Sequence, residues 1–382
     1  MGGINLVVKR LFENRILVRI DNRVSSIHMQ AHSNRYTAKV CFFCLSLLTY
    51  VVGCSETPQL IENNDPSKYT LAEDVLWASP DGFELTMDIY TPKAGSAPYP
   101  VLVMFHGGGW LINDNSIMDQ ASAYLATHGR YVICNVNYRL LADNDNTVTL
   151  DQIVEDAFGA VLWVADNIDR YKGDGSRIAV TGDSAGGHLT AMVVNSGHRL
   201  SSAGLGGDPS GFTPSYLPDG QSAEDIALRG GLKVQAAIPN YGAYNFYQSA
   251  LDGFEGWANI FWLIGGALPR GVFGDDINAI DNPEYYQAVS PINHIPQDDQ
   301  RMLPPQLVTV GSEDALVTPA SVKEYVNKLA AAGQPVEYWE YAGRPHAYLD
   351  SGSNAVLGIE FSKDAPPALD VMIRFLDGVF YE

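Results

Sequence analysis

Solid apolar stretches of four to six residues recur along the chain at 101–105, 131–136, 178–181, 234–238 and 306–310, each bounded by turn-forming residues. A strand without polar positions is covered on both faces, as in a parallel sheet wrapped by helices. Residues 84–90 (Glu-Leu-Thr-Met-Asp-Ile-Tyr) alternate polar and apolar instead, which predicts a half-exposed antiparallel strand. Helical spacing appears between the runs. Ile153, Ala157, Ala160, Val161 and Val164 line one face of 151–167, and Val322, Tyr325, Val326 and Leu329 do the same in 319–332, before Gly333 as a stop. No internal repeat is evident. Strands alternating with helices predict an α/β fold with a doubly wound, mostly parallel sheet, whose sites lie at the carboxyl ends of the strands.

Two stretches break the alternation. Residues 196–231 are rich in Gly, Ser, Pro and Asp, and 241–290 are rich in aromatics, among them Phe246, Tyr247, Trp257, Phe261 and Trp262. Long insertions of this kind in a compact domain are usually lids or binding loops, so both are expected to be cap segments.

The N-terminal region has another character. Residues 1–53 hold seven Lys/Arg and two Asp/Glu, which leaves 17 basic and 42 acidic side chains in the other 329 residues, a net charge of -25. Such a surface argues against nucleic acid, which is bound through clustered Lys and Arg. Residues 40–52 form an apolar run of 13 residues, preceded by Arg35 and Lys39 and followed by Gly53-Cys54. A transmembrane helix needs about 20 residues, whereas a signal-peptide core is shorter. The ending resembles a bacterial lipobox, in which the Cys is lipidated and becomes the mature N-terminus; here that is Cys54. Met29 supplies a more compact start, with 29–53 as the leader and 1–28 as an upstream extension. A plain signal peptide and an uncleaved anchor are the competing readings. Residues 54–72 read as a tether and 73–382 as the domain. The expected location is the bacterial cell envelope, with a membrane contact only through the lipid. Of four cysteines only Cys134 falls inside the domain, so no internal disulfide is available, and its apolar surroundings predict a buried, inert thiol.

The chemistry concentrates in two glycine-rich motifs. The run 178–181 leads into Gly182-Asp183-Ser184-Ala185-Gly186-Gly187-His188 and then a helical stretch. That is G-x-S-x-G in a strand–turn–helix context, where a sharp turn exposes the Ser hydroxyl and leaves no room for flanking side chains. The run 101–105 leads into His106-Gly107-Gly108-Gly109-Trp110. Backbone amides without side chains can approach a developing oxyanion closely.

His106–Trp110 followed by Gly182–Gly187 resembles the hormone-sensitive-lipase-like group of α/β-hydrolases, which includes esterases and carboxylesterases. The likeness covers roughly residues 75–380, including Asn137-Tyr138-Arg139-Leu140 and Asp156-Ala157. It implies that Ser184 is the nucleophile, that Gly108, Gly109 and Ala185 donate to the oxyanion, and that His106 orders its loop. The segment Gly311-Ser312-Glu313-Asp314 matches the family's acid loop and gives Asp314, with Glu313 as the nearer rival. Gly343-Arg344-Pro345-His346 matches the segment of the base and gives His346. His188 lies too near Ser184 in sequence to serve as base and reads as a helix-start or pocket residue.

The implied reaction is ester hydrolysis through an acyl-enzyme, with a small-molecule ester as partner and no cofactor or metal. Asp143-Asn144-Asp145-Asn146 lacks the loop Gly and distal Glu of a calcium site. Three functions remain in view: a carboxylesterase for short to medium acyl chains, an esterase removing acetyl or feruloyl groups from carbohydrates, and a non-catalytic binding protein on the same scaffold.

Overall fold

A computed structural model describes residues 66–382. The leader, Cys54 and most of the tether lie outside the described residues.

Eight strands form the main sheet: β1 (Tyr69–Ala78), β2 (Leu85–Pro92), β3 (Tyr99–Phe105), β4 (Val132–Val136), β5 (Gly173–Asp183), β6 (Ala236–Asn240), β7 (Gln306–Gly311) and β8 (Val336–Tyr341). Their spatial order is β1-β2-β4-β3-β5-β6-β7-β8. β1 and β2 run antiparallel to their neighbours, and all pairs from β4 to β8 are parallel. The unbroken apolar runs occupy the middle. Every residue of β3 and β4 is buried, while β2 begins with the alternation its sequence predicts.

Five longer helices cover the two faces: α1 (Asp119–His128), α2 (Leu150–Asn167), α3 (Ala185–Ser196), α4 (Pro319–Ala331) and α5 (Phe361–Phe380). Side chains of a strand alternate between faces, and β3 feeds two cores accordingly. Val101, Val103 and Phe105 join residues of α2 and α3; Leu102 and Met104 join those of α1, α4 and α5. Each such apolar side chain contributes about 1.5–3 kcal/mol relative to exposure. Together the two cores fix the ends of β5, β7 and β8, where the candidate residues sit.

β1 differs from expectation. It begins at Tyr69, inside the stretch read as tether, and shows no hydrophobic alternation because Trp77 is its single buried residue. An edge strand has only one neighbour to bury against, and register shifts beside Asp74, at φ +52°, interrupt its pairing.

The inserted stretches have different partners. Residues 196–231 are clasped to α2: Thr213 N donates to Glu155 Oε1 (2.7 Å), and the Ser215 hydroxyl donates to Asp156. Asp156 is itself held by Arg139, through Nε (2.8 Å) and Nη2 (2.7 Å), in a buried ion pair. The first stretch is thus tied to the flank of α2, and Arg199 Nη1 also lies 3.0 Å from His294 Nε2. Residues 241–290 reach the glycine loop after β3. Phe261 packs where a side chain on Gly109 would project, at 3.5 Å, and Trp110 meets Phe246 and Phe254 edge-on.

Candidate active site

The end of β5 turns sharply into α3. Ser184 sits between them at φ +53° and ψ -112°, in the left-handed half of backbone space that an L-residue adopts only under constraint. The constraint is visible on both sides. Ser184 N donates to Asn240 O of β6 (3.0 Å), and His188 N donates to Ser184 O (3.0 Å). Gly186 must be glycine, because a Cβ there would lie 1.9 Å from the carbonyl oxygen of Phe105 at the end of β3. This close approach seats the first turn of α3 against β3.

Two loops bring the other sequence-predicted groups to Ser184. The loop after β7 carries Asp314, whose Oδ1 accepts from Leu316 N (2.9 Å) and Val317 N (2.8 Å). The loop after β8 carries His346. Its Nδ1–H donates to the other oxygen of Asp314, Oδ2, at 2.7 Å, and its Nε2 accepts from the Ser184 hydroxyl at 2.9 Å. Asp314 is 3% exposed and His346 7%, so little water competes for these bonds. Residues 130 and 162 positions from Ser184 are thus joined to it in one chain of hydroxyl, imidazole and carboxylate. Such a chain can pass a proton from an attacking oxygen to a ring nitrogen while the carboxylate balances the ring's charge. Glu313 takes no part in the chain.

The glycine loop after β3 lies alongside. Gly108, at φ +122°, has its carbonyl bonded by both Leu111 N and Ile112 N (3.1 Å each). A Cβ on it would meet Ile112 O at 2.1 Å. His106 anchors the loop from behind. Its ring stacks on Tyr138 at 4.3 Å, its Nδ1–H donates to Gly107 O (2.8 Å), and Tyr138 donates to His106 O (2.6 Å). Complete burial pushes His106 down to about 4, so the ring is neutral and acts as a strut. The Asp183 carboxylate also accepts from Gly107 N, which ties the turn at Ser184 to the glycine loop.

His188 is placed as the sequence suggested, at the start of α3. It donates from Nε2 to Val289 O (2.7 Å) and touches Trp110 edge-on at 5.0 Å, fastening the end of the second insertion. Burial lowers it to about 4. Cys134 is buried and free, with its thiol pushed up by burial. Sequence reasoning missed two groups beside the chain: Asp183 and Tyr241. The Tyr241 ring stands edge-on to His346 at 4.9 Å. Asp183 lies inside a motif already singled out, while nothing in the sequence marks Tyr241.

Comparison with known proteins agrees with this architecture. The BD-FAE family model matches residues 87–329. Carboxylesterase NlhH of Mycobacterium tuberculosis is 26% identical over 267 residues, covering 70% of this chain and 72% of the relative. Among solved structures, Thermogutta terrifontis esterase 2 phosphoramylated by tabun aligns with a TM-score of 0.56 and 20% identity, over 84% of this chain and 98% of that one. A truncated form of a carbohydrate esterase from gut microbiota aligns with a TM-score of 0.59 and 20% identity, over 85% and 99%. The chain belongs to the BD-FAE family and is a carboxylesterase-type enzyme of the α/β-hydrolase fold.

Proposed function

We propose that the chain hydrolyses carboxylic esters of short to medium acyl length through Ser184, His346 and Asp314. The observation that carries this reading is the continuous hydrogen-bonded chain from Ser184 Oγ through His346 to Asp314. In the proposed reaction His346 Nε2 takes the Ser184 proton as Oγ attacks the ester carbonyl. The oxyanion that forms is met by the amides of Gly108, Gly109 and Ala185, each worth on the order of 10²–10³ in rate in comparable sites. Protonated His346 returns its proton to the departing alcohol, and an activated water then releases the acid from the acyl-enzyme. A purely binding role would leave this proton-transfer chain without use. The test is a panel of p-nitrophenyl esters from acetate upward, with wild type and Ser184→Ala compared at each length. Turnover by the Ala variant equal to wild type refutes the mechanism.

A second reading, the removal of acetyl or feruloyl groups from carbohydrate, is favoured by Trp257. That ring is 78% exposed, whereas Phe246 and Trp262 of the same insertion are fully buried. It belongs to the same insertion as Phe261, the side chain against Gly109, so that insertion offers an exposed flat apolar ring on which a sugar can stack. Acetylated and feruloylated oligosaccharides, run beside the simple esters, separate the two substrate classes by kcat/KM. Cys54 is the proposed lipid attachment point, holding the enzyme at the bacterial envelope. Cys54→Ala is then expected to release the enzyme from membranes, and unchanged retention argues against the anchor.

A further inference from the structure

The main sheet has a seam between the half that carries Ser184 and the half that carries its partners. Ser184 follows β5, which pairs with β6, whereas Asp314 and His346 follow β7 and β8. Across the seam, β6 and β7 register with Ala237 opposite Gln306 and Asn240 opposite Thr309, while every residue of β7 has a partner in β8. The distance from Ser184 Oγ to His346 therefore depends on what joins the two halves at the carboxyl ends of their strands.

The side chains of one seam pair supply the joint. Asn240 is buried, and its Nδ2 faces three acceptors: Gly182 O (3.1 Å), Thr181 Oγ1 (3.2 Å) and Ile238 O (3.2 Å). Gly182 stands two residues before Ser184, whose own N–H donates to Asn240 O (3.0 Å). On the other side of the seam, Thr309 Oγ1 lies 2.7 Å from Asn240 Oδ1 and 2.7 Å from the Tyr348 hydroxyl. An amide oxygen can only accept, so the single Thr309 proton is committed to Asn240 and Tyr348 must donate to Thr309. One directed chain thus runs from Tyr348 through Thr309 and Asn240 to Gly182. All its side chains are buried. Tyr348 stands two residues after His346, and the Tyr241 ring lies edge-on to both, at 4.7 Å from Tyr348 and 4.9 Å from His346. Tyr241 N donates to Thr309 O (2.7 Å), so this ring hangs from the same residue.

We infer that Asn240, Thr309 and Tyr348 form a buried brace that sets the separation of Ser184 and His346, with Thr309, the middle link, as its main positioning residue. The brace acts through the turn at Ser184 and the loop of His346. The proposal rests on the reading of Ser184 and His346 as nucleophile and base.

Polar bonds away from water are strong when complete and costly when cut. Without the Thr309 hydroxyl, Asn240 Oδ1 loses its donor and the Tyr348 hydroxyl loses its acceptor, both in a dry site. Each must shift to find another partner, and the two halves of the sheet then lose their common reference beneath the reacting pair.

The experiment measures kcat and KM on p-nitrophenyl acetate, with thermal unfolding, for wild type, Thr309→Val, Thr309→Ser, Tyr348→Phe and the Thr309→Val/Tyr348→Phe double variant. Thr309→Val keeps the shape of the side chain without the hydroxyl and is expected to lower kcat about tenfold at unchanged KM. Thr309→Ser restores the hydroxyl and recovers most of that loss. Tyr348→Phe removes only the first donor and should lower kcat about threefold. The double variant should fall no further than Thr309→Val, because both changes cut one chain. Tyr325→Phe is the control: its equally buried hydroxyl bonds Gln306 Oε1 (2.9 Å) at the start of β7, so it should lose stability and keep kcat. A folded Thr309→Val with kcat within about twofold of wild type overturns the brace. Equal kcat losses in Tyr348→Phe and Tyr325→Phe, or losses that multiply in the double variant, overturn it as well. If Thr309→Val does not fold, the comparison of Tyr348→Phe with Tyr325→Phe decides. With Ser184→Ala alongside, the two readings fail separately: an active Ser184→Ala refutes the triad, whereas an inactive one with unaltered kcat in Thr309→Val refutes only the brace.

Discussion

Replacing Gly186 by Ala tests how far activity depends on the seating of α3 against β3. The added Cβ would lie 1.9 Å from Phe105 O, 2.5 Å from Phe105 C and 2.8 Å from His106 O. Non-bonded heavy atoms need roughly 3.5 Å, so the first turn of α3 and the end of β3 must separate by roughly 1.5 Å. All three clashing atoms are backbone, and no side-chain rotation relieves them. The same two segments carry Ser184 and the glycine loop, so their separation moves the hydroxyl away from Gly108 and Gly109. A misplacement of about 1 Å at reacting groups costs on the order of 10² in rate, and overpacking costs about 1–3 kcal/mol of stability. Gly378→Ala is the control. Its nearest neighbour would be Glu382 Oε2 at 3.9 Å, and it lies in α5, where exchanging Gly for Ala adds roughly 0.5–1 kcal/mol. The assay pairs kcat/KM on p-nitrophenyl acetate with urea unfolding for both variants. Gly186→Ala should lose about a hundredfold in kcat/KM together with stability, while Gly378→Ala gains stability with unchanged turnover. A Gly186→Ala variant that keeps kcat/KM within about threefold of wild type refutes the dependence of activity on this seating.

Two further perturbations probe the supports of the site. His188 is neutral and buried, lowered to about 4, whereas in the unfolded chain it titrates near about 6.5. Below that value the unfolded state binds a proton that the folded state refuses, so stability is full above pH ~6.5 and falls between ~6.5 and ~4, by up to about 1.4 kcal/mol per pH unit. His188→Gln should flatten the slope of unfolding free energy against pH in that window by about one proton, and an unaltered slope contradicts the assignment. Asp156→Ala removes the buried partner of the Arg139 guanidinium, leaving only the exposed Asp81 carboxylate at 3.7 Å, and deprives the Ser215 hydroxyl of its acceptor. A loss of about 3–5 kcal/mol is expected, with faster proteolytic cleavage within 202–210, and Arg139→Met with Asp156→Leu should recover much of it. Stability within about 1 kcal/mol of wild type in Asp156→Ala would exclude this clasp.

How much of this could be read from the chain depends on how local each signal is. A strand buried on both faces needs an unbroken apolar run, and 101–105 and 306–310 became β3 and β7 almost unchanged. The glycines around Ser184 were legible for the same reason, since backbone crowding within a few residues admits nothing larger. Asp314 and His346 came from motif resemblance, because no pattern near Ser184 signals partners 130 and 162 residues away. β1 was missed where burial is nearly absent, for an edge strand is held by backbone pairing that leaves no mark on side-chain choice. Tyr241 lies at the far end of this scale: it follows β6, yet its ring meets His346 of the loop after β8 edge-on at 4.9 Å, a pairing that exists only in three dimensions and leaves no mark on the local hydrophobic pattern.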